Sequence, residues 1–123
     1  MNNTTSEAIR DHFLNPRNQG EISDAHLVLE MGSIAAGDAV KLMLKFDDAR
    51  RISEVKFQSF GDGESIAAYS ILTELLIGKT AKETAQITEA DIRERVLTSD
   101  SMPQMKTDRA ISLLRLAEQR MGT

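Results

Sequence analysis

At 123 residues, with 41% hydrophobic and 28% charged positions, the sequence has the size and composition of one globular domain, residues 1–123, and not of a disordered segment. A formal net charge of −4 without any Lys/Arg block argues against nucleic acid or an anionic membrane as partner. The absence of cysteine excludes disulfides, thiol catalysis, thiolate-bound zinc and ordinary iron–sulfur ligation.

Aromatic residues make up only 4% of the chain, so aliphatic side chains and methionines must fill the core. No apolar run approaches the ~18 residues of a membrane span. The first thirty residues lack the charged-then-apolar layout of a secretion signal, so a cytoplasmic location is expected.

Thr4 and Glu7 form a capping box ahead of Ala8, Ile9, Phe13 and Leu14, which predicts a first helix. Pro16 forces its predecessor out of the α region and ends that helix at Asn15. Arg17 to Asp24 reads as a polar connector. Three strands follow. Leu27, Leu29 and Met31 alternate with His26, Val28 and Glu30. Val40, Leu42, Leu44 and Phe46 alternate with Lys41, Met43 and Lys45. Ile52 to Phe60 sets Val55 and Phe57 against Glu54, Lys56 and Gln58. The Asp47-Asp48-Ala49-Arg50 turn joins the second and third strands, giving an antiparallel sheet with one face exposed.

Glu64 to Ile77 carries Ala68, Tyr69, Leu72, Leu75 and Leu76 at helical spacing and closes on Gly78. Thr80 and Glu83 cap a short helix, Thr88 to Leu97 makes another, and Lys106 to Met121 carries a stripe of Ala110, Leu113, Leu114, Ala117 and Met121. The predicted fold is α+β, a three-stranded antiparallel sheet with helices packed on one face. Phe57, Leu72, Leu76 and Leu114 are expected at the centre of its core.

Four stretches, taken together, resemble the iron–sulfur cluster assembly scaffold family called IscU, or the N-terminal domain of NifU. They are Asp11-His12-Phe13-Leu14-Asn15-Pro16-Arg17-Asn18-Gln19-Gly20, Ala36-Gly37-Asp38, the run from Phe60-Gly61-Asp62-Gly63 through Ile66-Ala67-Ala68-Tyr69-Ser70 and Thr73-Glu74 to Gly78-Lys79-Thr80, and Met102-Pro103-Gln104-Met105-Lys106. The match runs from about Ser6 to Ala117 and implies the SufE/NifU-like version of the α+β fold. No long insertion precedes the last helix, so the chain looks less like the zinc-carrying SufU branch.

The resemblance implies a site where three cysteines, an aspartate and a histidine converge to receive sulfur and bind metal. Carried over residue by residue, the first cysteine is Ala36, the aspartate is kept as Asp38, the second cysteine is Asp62, the histidine is Asp108 and the third cysteine is Arg109. Clusters need soft thiolate donors and persulfide transfer needs a thiolate acceptor, so neither family step is open to these residues.

Two readings of the altered site stay open. In the favoured one it is a salt-bridged remnant: Asp62 caps the following helix, Asp38 holds a turn, and Arg109 is the counter-ion to Asp38 or Asp62. Asp108 then complements the dipole from the first turn of the last helix. In the other, Asp38, Asp62 and Asp108 bind a hard divalent cation, against the repulsion of Arg109.

His12 is expected to pack or to bond Asp11, and Arg17 to bond its own loop or touch a partner. Ser65 and Ser70 show no nearby histidine in the sequence, so no nucleophile–base pair supports an enzyme. Met102, Pro103, Gln104, Met105 and Lys106 resemble the segment that family members show to an Hsp70-type chaperone, or else anchor the last helix.

The expectation that follows is a non-catalytic binding or regulatory module of cluster assembly, engaging a cysteine desulfurase, an Hsp70-type chaperone or a recipient protein and carrying no cluster. The alternative is a protein that binds or delivers iron or another hard cation through its aspartates.

Overall fold

The fold is that of a computed structural model, which describes residues 4–95 and 103–122, with backbone alone for residues 4–8. Helix α1 spans Thr4–Leu14 and stops just short of Pro16. Its Thr4–Glu7 capping box falls on side chains outside the described residues. Strands β1 (Leu27–Met31), β2 (Val40–Phe46) and β3 (Ile52–Ser59) form an antiparallel sheet in that order. Four helices complete the chain: α2 (Gly63–Leu76), α3 (Ala81–Thr84), α4 (Glu89–Glu94) and α5 (Gln104–Met121).

Period-two alternation sets the inner face of the sheet. Leu29, Leu42 and Phe57 lie side by side across the three strands, and all three are buried. Against them pack Leu72 and Leu76 of α2 and Leu113, Leu114 and Ala117 of α5, in one apolar cluster. Phe57, Leu72, Leu76 and Leu114 are each fully buried, as the sequence implied. Helix α2 is buried on nearly every side because α1, β3, α4 and α5 all pack on it. Thr80 and Thr88 cap α3 and α4, each in a complete capping box.

The outer face departs from the simple alternation. Met43 was expected beside Lys41 and Lys45 on the exposed side, yet only 1% of its surface is accessible. The connector after α1 covers it. Ile22 is buried there, and its backbone N–H lies 3.5 Å from the Met43 sulfur.

The same connector guards the edge of β3, where Phe57 N–H donates to Asn18 O and Gly20 N–H donates to Phe57 O, both at 2.9 Å. A stretch that reads as polar linker is thus partly strand-like, and it covers an edge that would otherwise be open to pairing.

Helix α5 starts at Gln104, two residues earlier than its periodicity suggested, because Pro103 occupies the N-cap position. Asp108 therefore lies beyond the first turn and is not placed to complement the dipole there. Helix α4 ends at Glu94, and the remainder of the expected Thr88–Leu97 helix from residue 96 lies outside the described residues. Among the described residues no helix is long and apolar enough to cross a membrane.

Candidate functional site

The loop between β1 and β2, the link from β3 to α2 and the start of α5 meet at one end of the sheet. Asp38 closes the first of these. Its Oδ1 accepts the Ser33 N–H at 2.8 Å and its own N–H donates to Ser33 O. Gly32, at φ 77°, lies so close to the Asp38 carbonyl that a β-carbon there would collide with it. The second oxygen of Asp38 meets Arg109 Nη2 at 2.6 Å. The Ser33 hydrogen bond, and after it the Arg109 guanidinium, hold the Asp38 carboxyl below the usual carboxylate range.

Asp62 divides its oxygens in the same way. Oδ1 accepts the Ser65 N–H at 2.9 Å as the N-cap of α2, and Oδ2 meets Lys106 Nζ at 2.9 Å. Its pKa is lowered first by the Ser65 backbone bond and then by Lys106. Lys106 and Arg109 stand three apart on α5, so one helix face presents a cation to each aspartate. Gly61 approaches the Gly37 carbonyl, which brings the two aspartate-bearing segments side by side.

Asp108 is directed elsewhere. It accepts from Gln104 Nε2 at 2.8 Å, and Gln104 is further tied to Glu89 and Arg93 of α4. Ala36 is exposed at the loop surface, its N–H donating to Ser33 Oγ. The structure thus pairs Asp38 with Arg109 and Asp62 with Lys106, while Asp108 bonds Gln104 of its own helix. Among the described residues no group of three or more His, Cys, Asp or Glu side chains is disposed to hold a metal ion. The donors present at this end are oxygens that already carry two backbone N–H groups and two side-chain cations.

Large apolar side chains surround this pair of ion pairs. Ile34 is 73% exposed, Met105 61%, Phe60 58% and Phe13 46%. The Phe13 ring lies over the start of α2, at 3.0 Å from where a β-carbon on Gly63 would sit, so a glycine there gives it room. Of the segment read as a partner contact, Met102 lies outside the described residues. Gln104, Met105 and Lys106 are already helical, with Lys106 bound to Asp62 and Gln104 to α4. Met105 projects into solvent.

A second polar cluster joins α1 to α2. His12 is packed there, as one expectation had it, but takes a different hydrogen-bond partner, and Ser70 has a histidine that its sequence neighbours did not show. His12 is buried and bonds Ser70, with Nδ1 at 2.7 Å from Ser70 Oγ, and not Asp11. Asp11, one residue along and about 100° round the helix, takes Arg17 at 2.5 Å instead. Ser70 therefore does have a histidine beside it, with Glu74 Oε1 at 3.7 Å from His12 Nε2.

The serine is no exposed nucleophile. It is fully buried, and its oxygen also accepts the Arg17 N–H at 2.8 Å. Ser70 Oγ thus holds the Arg17 N–H and the His12 ring at once, and the imidazole tautomer decides which of the two side chains donates between them. Burial, and after it the nearby Arg17, push the His12 pKa down, against the pull of Glu74. No sequence signal links His12 to a serine 58 positions away.

The NifU-like N terminal domain matches residues 4–119 of the chain. The nitrogen fixation protein NifU of Azospirillum brasilense is 45% identical over 92 residues, covering 72% of this chain and 30% of that protein. The iron–sulfur cluster assembly scaffold protein IscU 1 of Archaeoglobus fulgidus is 42% identical over 89 residues, covering 72% of this chain and 58% of that one. The chain thus spans from under a third to somewhat over half of these relatives. A solved structure from Fervidobacterium islandicum, described as a candidate cluster assembly scaffold of the SUF system, superposes with a TM-score of 0.69 at 25% identity, covering 91% of this chain and 94% of that one.

Proposed function

The chain belongs to the NifU-like N-terminal domain family, and from that premise we propose that it is a docking module of cluster assembly that carries no cluster itself. Its position is that of a cytoplasmic regulator or decoy, with a cysteine desulfurase as the first partner. One observation carries this reading. The end of the fold to which the resemblance assigns thiolates carries exposed apolar side chains, while its aspartates are neutralised from within. Exposed Phe, Ile and Met side chains around an internally paired centre have the composition of a protein-binding patch.

The chemistry of the site argues for docking over metal delivery. A cation would have to displace Arg109 from Asp38 and Lys106 from Asp62, and Asp108 is engaged by Gln104 of its own helix. A chaperone that reads an extended segment would have to unwind the first turn of α5, so a partner that recognises the folded surface fits better. The reading of a non-catalytic module rests on Ser70, the serine beside a histidine, being buried and held by two hydrogen bonds.

The test mixes the chain with a cysteine desulfurase and a thiolate-bearing scaffold. A stable complex with the desulfurase is expected, together with slower cluster formation on the scaffold as the chain is added. Sulfur should not be transferred to the chain. Phe60→Asp or Met105→Asp should weaken the complex at least about tenfold, as loss of a buried anchor does. Undiminished cluster formation without a complex would reject the proposal.

A further inference from the structure

At the opposite end of the molecule a groove opens between the β2–β3 turn and the last turns of α5. Met121 lies twelve residues beyond Arg109 on that helix, or about 18 Å at 1.5 Å per residue, so this is a separate place from the docking end. The groove has a volume of about 760 Å³, within the range of small-molecule sites. Phe46, Ala81, Ala85 and Met121 supply an apolar floor. The Phe46 ring is held from one side by His26, stacked at 6.0 Å and 11°. The floor is thus largely pre-formed.

The rim is positive in a chain whose net charge is −4. Arg50 and Lys82 line it, both exposed and neither with an acidic partner among the described residues. Their neighbours behave differently: Arg51 is taken by Glu83 at 2.7 Å and by the Gly78 carbonyl. The one acid in the lining, Glu118, is engaged by Arg115 at 3.1 Å.

The turn also holds Arg50 in place. Asp47 Oδ1 accepts the N–H groups of Ala49 and Arg51, and Arg50 itself adopts φ 63°, a left-handed conformation uncommon for a side chain of that size. Two cations above an apolar floor, with the one carboxylate of the lining, Glu118, already engaged, match a ligand with a tail and an anionic head. A purely apolar or neutral occupant would leave the cations unused.

We propose that this groove binds an amphipathic small molecule, a short aliphatic tail carrying a carboxylate or phosphate. The tail lies on Phe46, Ala81, Ala85 and Met121, and the head meets Arg50 and Lys82. The proposal is independent of the docking function at the other end.

Amide chemical shifts of the isotope-labelled chain, titrated with decanoate, decyl phosphate and decanol below their aggregation concentrations, provide the test. Both anions should shift the amides of Phe46, Ala81, Ala85 and Met121, and decanol should bind at least tenfold more weakly. The tighter of the two anions identifies the head. A double Arg50→Gln, Lys82→Gln variant, altered only at exposed side chains, should bind the anions at least tenfold more weakly and decanol unchanged.

Equal binding of decanol and decanoate would overturn the proposal, as would shifts confined to the Phe60 end. So would concentration-dependent shifts of the groove amides without ligand, which would make the groove a contact between two copies of the chain.

Discussion

At the residue scale, Arg109 separates the two ways of reading the aspartate site. It contacts Asp38 at 2.6 Å, and Lys106 neutralises Asp62 independently. Arg109→Ala should leave Asp38 without its counter-ion and lower the melting temperature. Mn²⁺ or Mg²⁺ should then recover part of that loss by binding the folded state alone, while stabilising the unaltered protein little. A melting-temperature titration of both proteins decides: a marked rise in the unaltered chain, abolished by Asp62→Ala, would return the aspartates to metal binding.

His12 carries a separate, pH-dependent prediction. Its folded-state pKa lies below the ordinary value of about 6.5, so the unfolded chain takes up the proton first. The stability it contributes is present above that value and is lost as the pH falls through it toward the lower folded pKa. Urea unfolding between pH 7.5 and 5.5 should show a decline that His12→Gln reduces. Equal slopes for the two proteins would show that burial of the neutral ring is not the source.

The residues of the site were unequally legible in the sequence. Asp62 stands just before a strong helical pattern, so its capping bond is a local matter that sequence reveals. Arg109 could be matched with an acidic partner but not with one particular aspartate, because the choice depends on how α5 crosses two loops. His12 with Ser70 was invisible, since only the packing of α1 on α2 brings them together.

At the element scale, α5 and the connector after α1 illustrate opposite cases. The stripe of Ala110, Leu113, Leu114 and Ala117 follows helical periodicity and is buried as that pattern requires. Leu114→Ala should cost about 2–5 kcal/mol by chemical denaturation, and a loss below about 1 kcal/mol would mean that the helix presents another face.

Met43 obeys a rule that fails locally. Its place between Lys41 and Lys45 makes it look replaceable by lysine, yet the connector and Ile22 cover it. Met43→Lys should cost at least about 2 kcal/mol, because a charge would lose its water without gaining a partner. Near-neutral behaviour would show that the connector lifts easily from the sheet. Periodicity reports which residues share a face, and says nothing about a loop that later folds over that face.

At the scale of the whole molecule, the segments to which the resemblance assigns donor atoms are neighbours, although none of them carries sulfur. The Ala36–Asp38 loop, the Gly61–Asp62 link and Arg109 adjoin one another through the Asp38–Arg109 contact and the approach of Gly61 to Gly37. The unaltered chain, lacking thiolates, should stay colourless after anaerobic incubation with iron, cysteine and a desulfurase. Restoring sulfur at the three positions, as Ala36→Cys, Asp62→Cys and Arg109→Cys together, should give a visible chromophore in proportion to protein.

Ala36 is exposed in its loop, so cysteine is sterically acceptable there. The Asp62 and Arg109 replacements remove one member of each ion pair, so circular dichroism and thermal melting should first establish that the variant is folded. A folded but colourless triple variant would show that the loops no longer hold three donors around a common point. The resemblance would then extend to the fold and not to the geometry of the site. Colour in the unaltered chain would be the more damaging result, since it would require a ligand set that contains no sulfur.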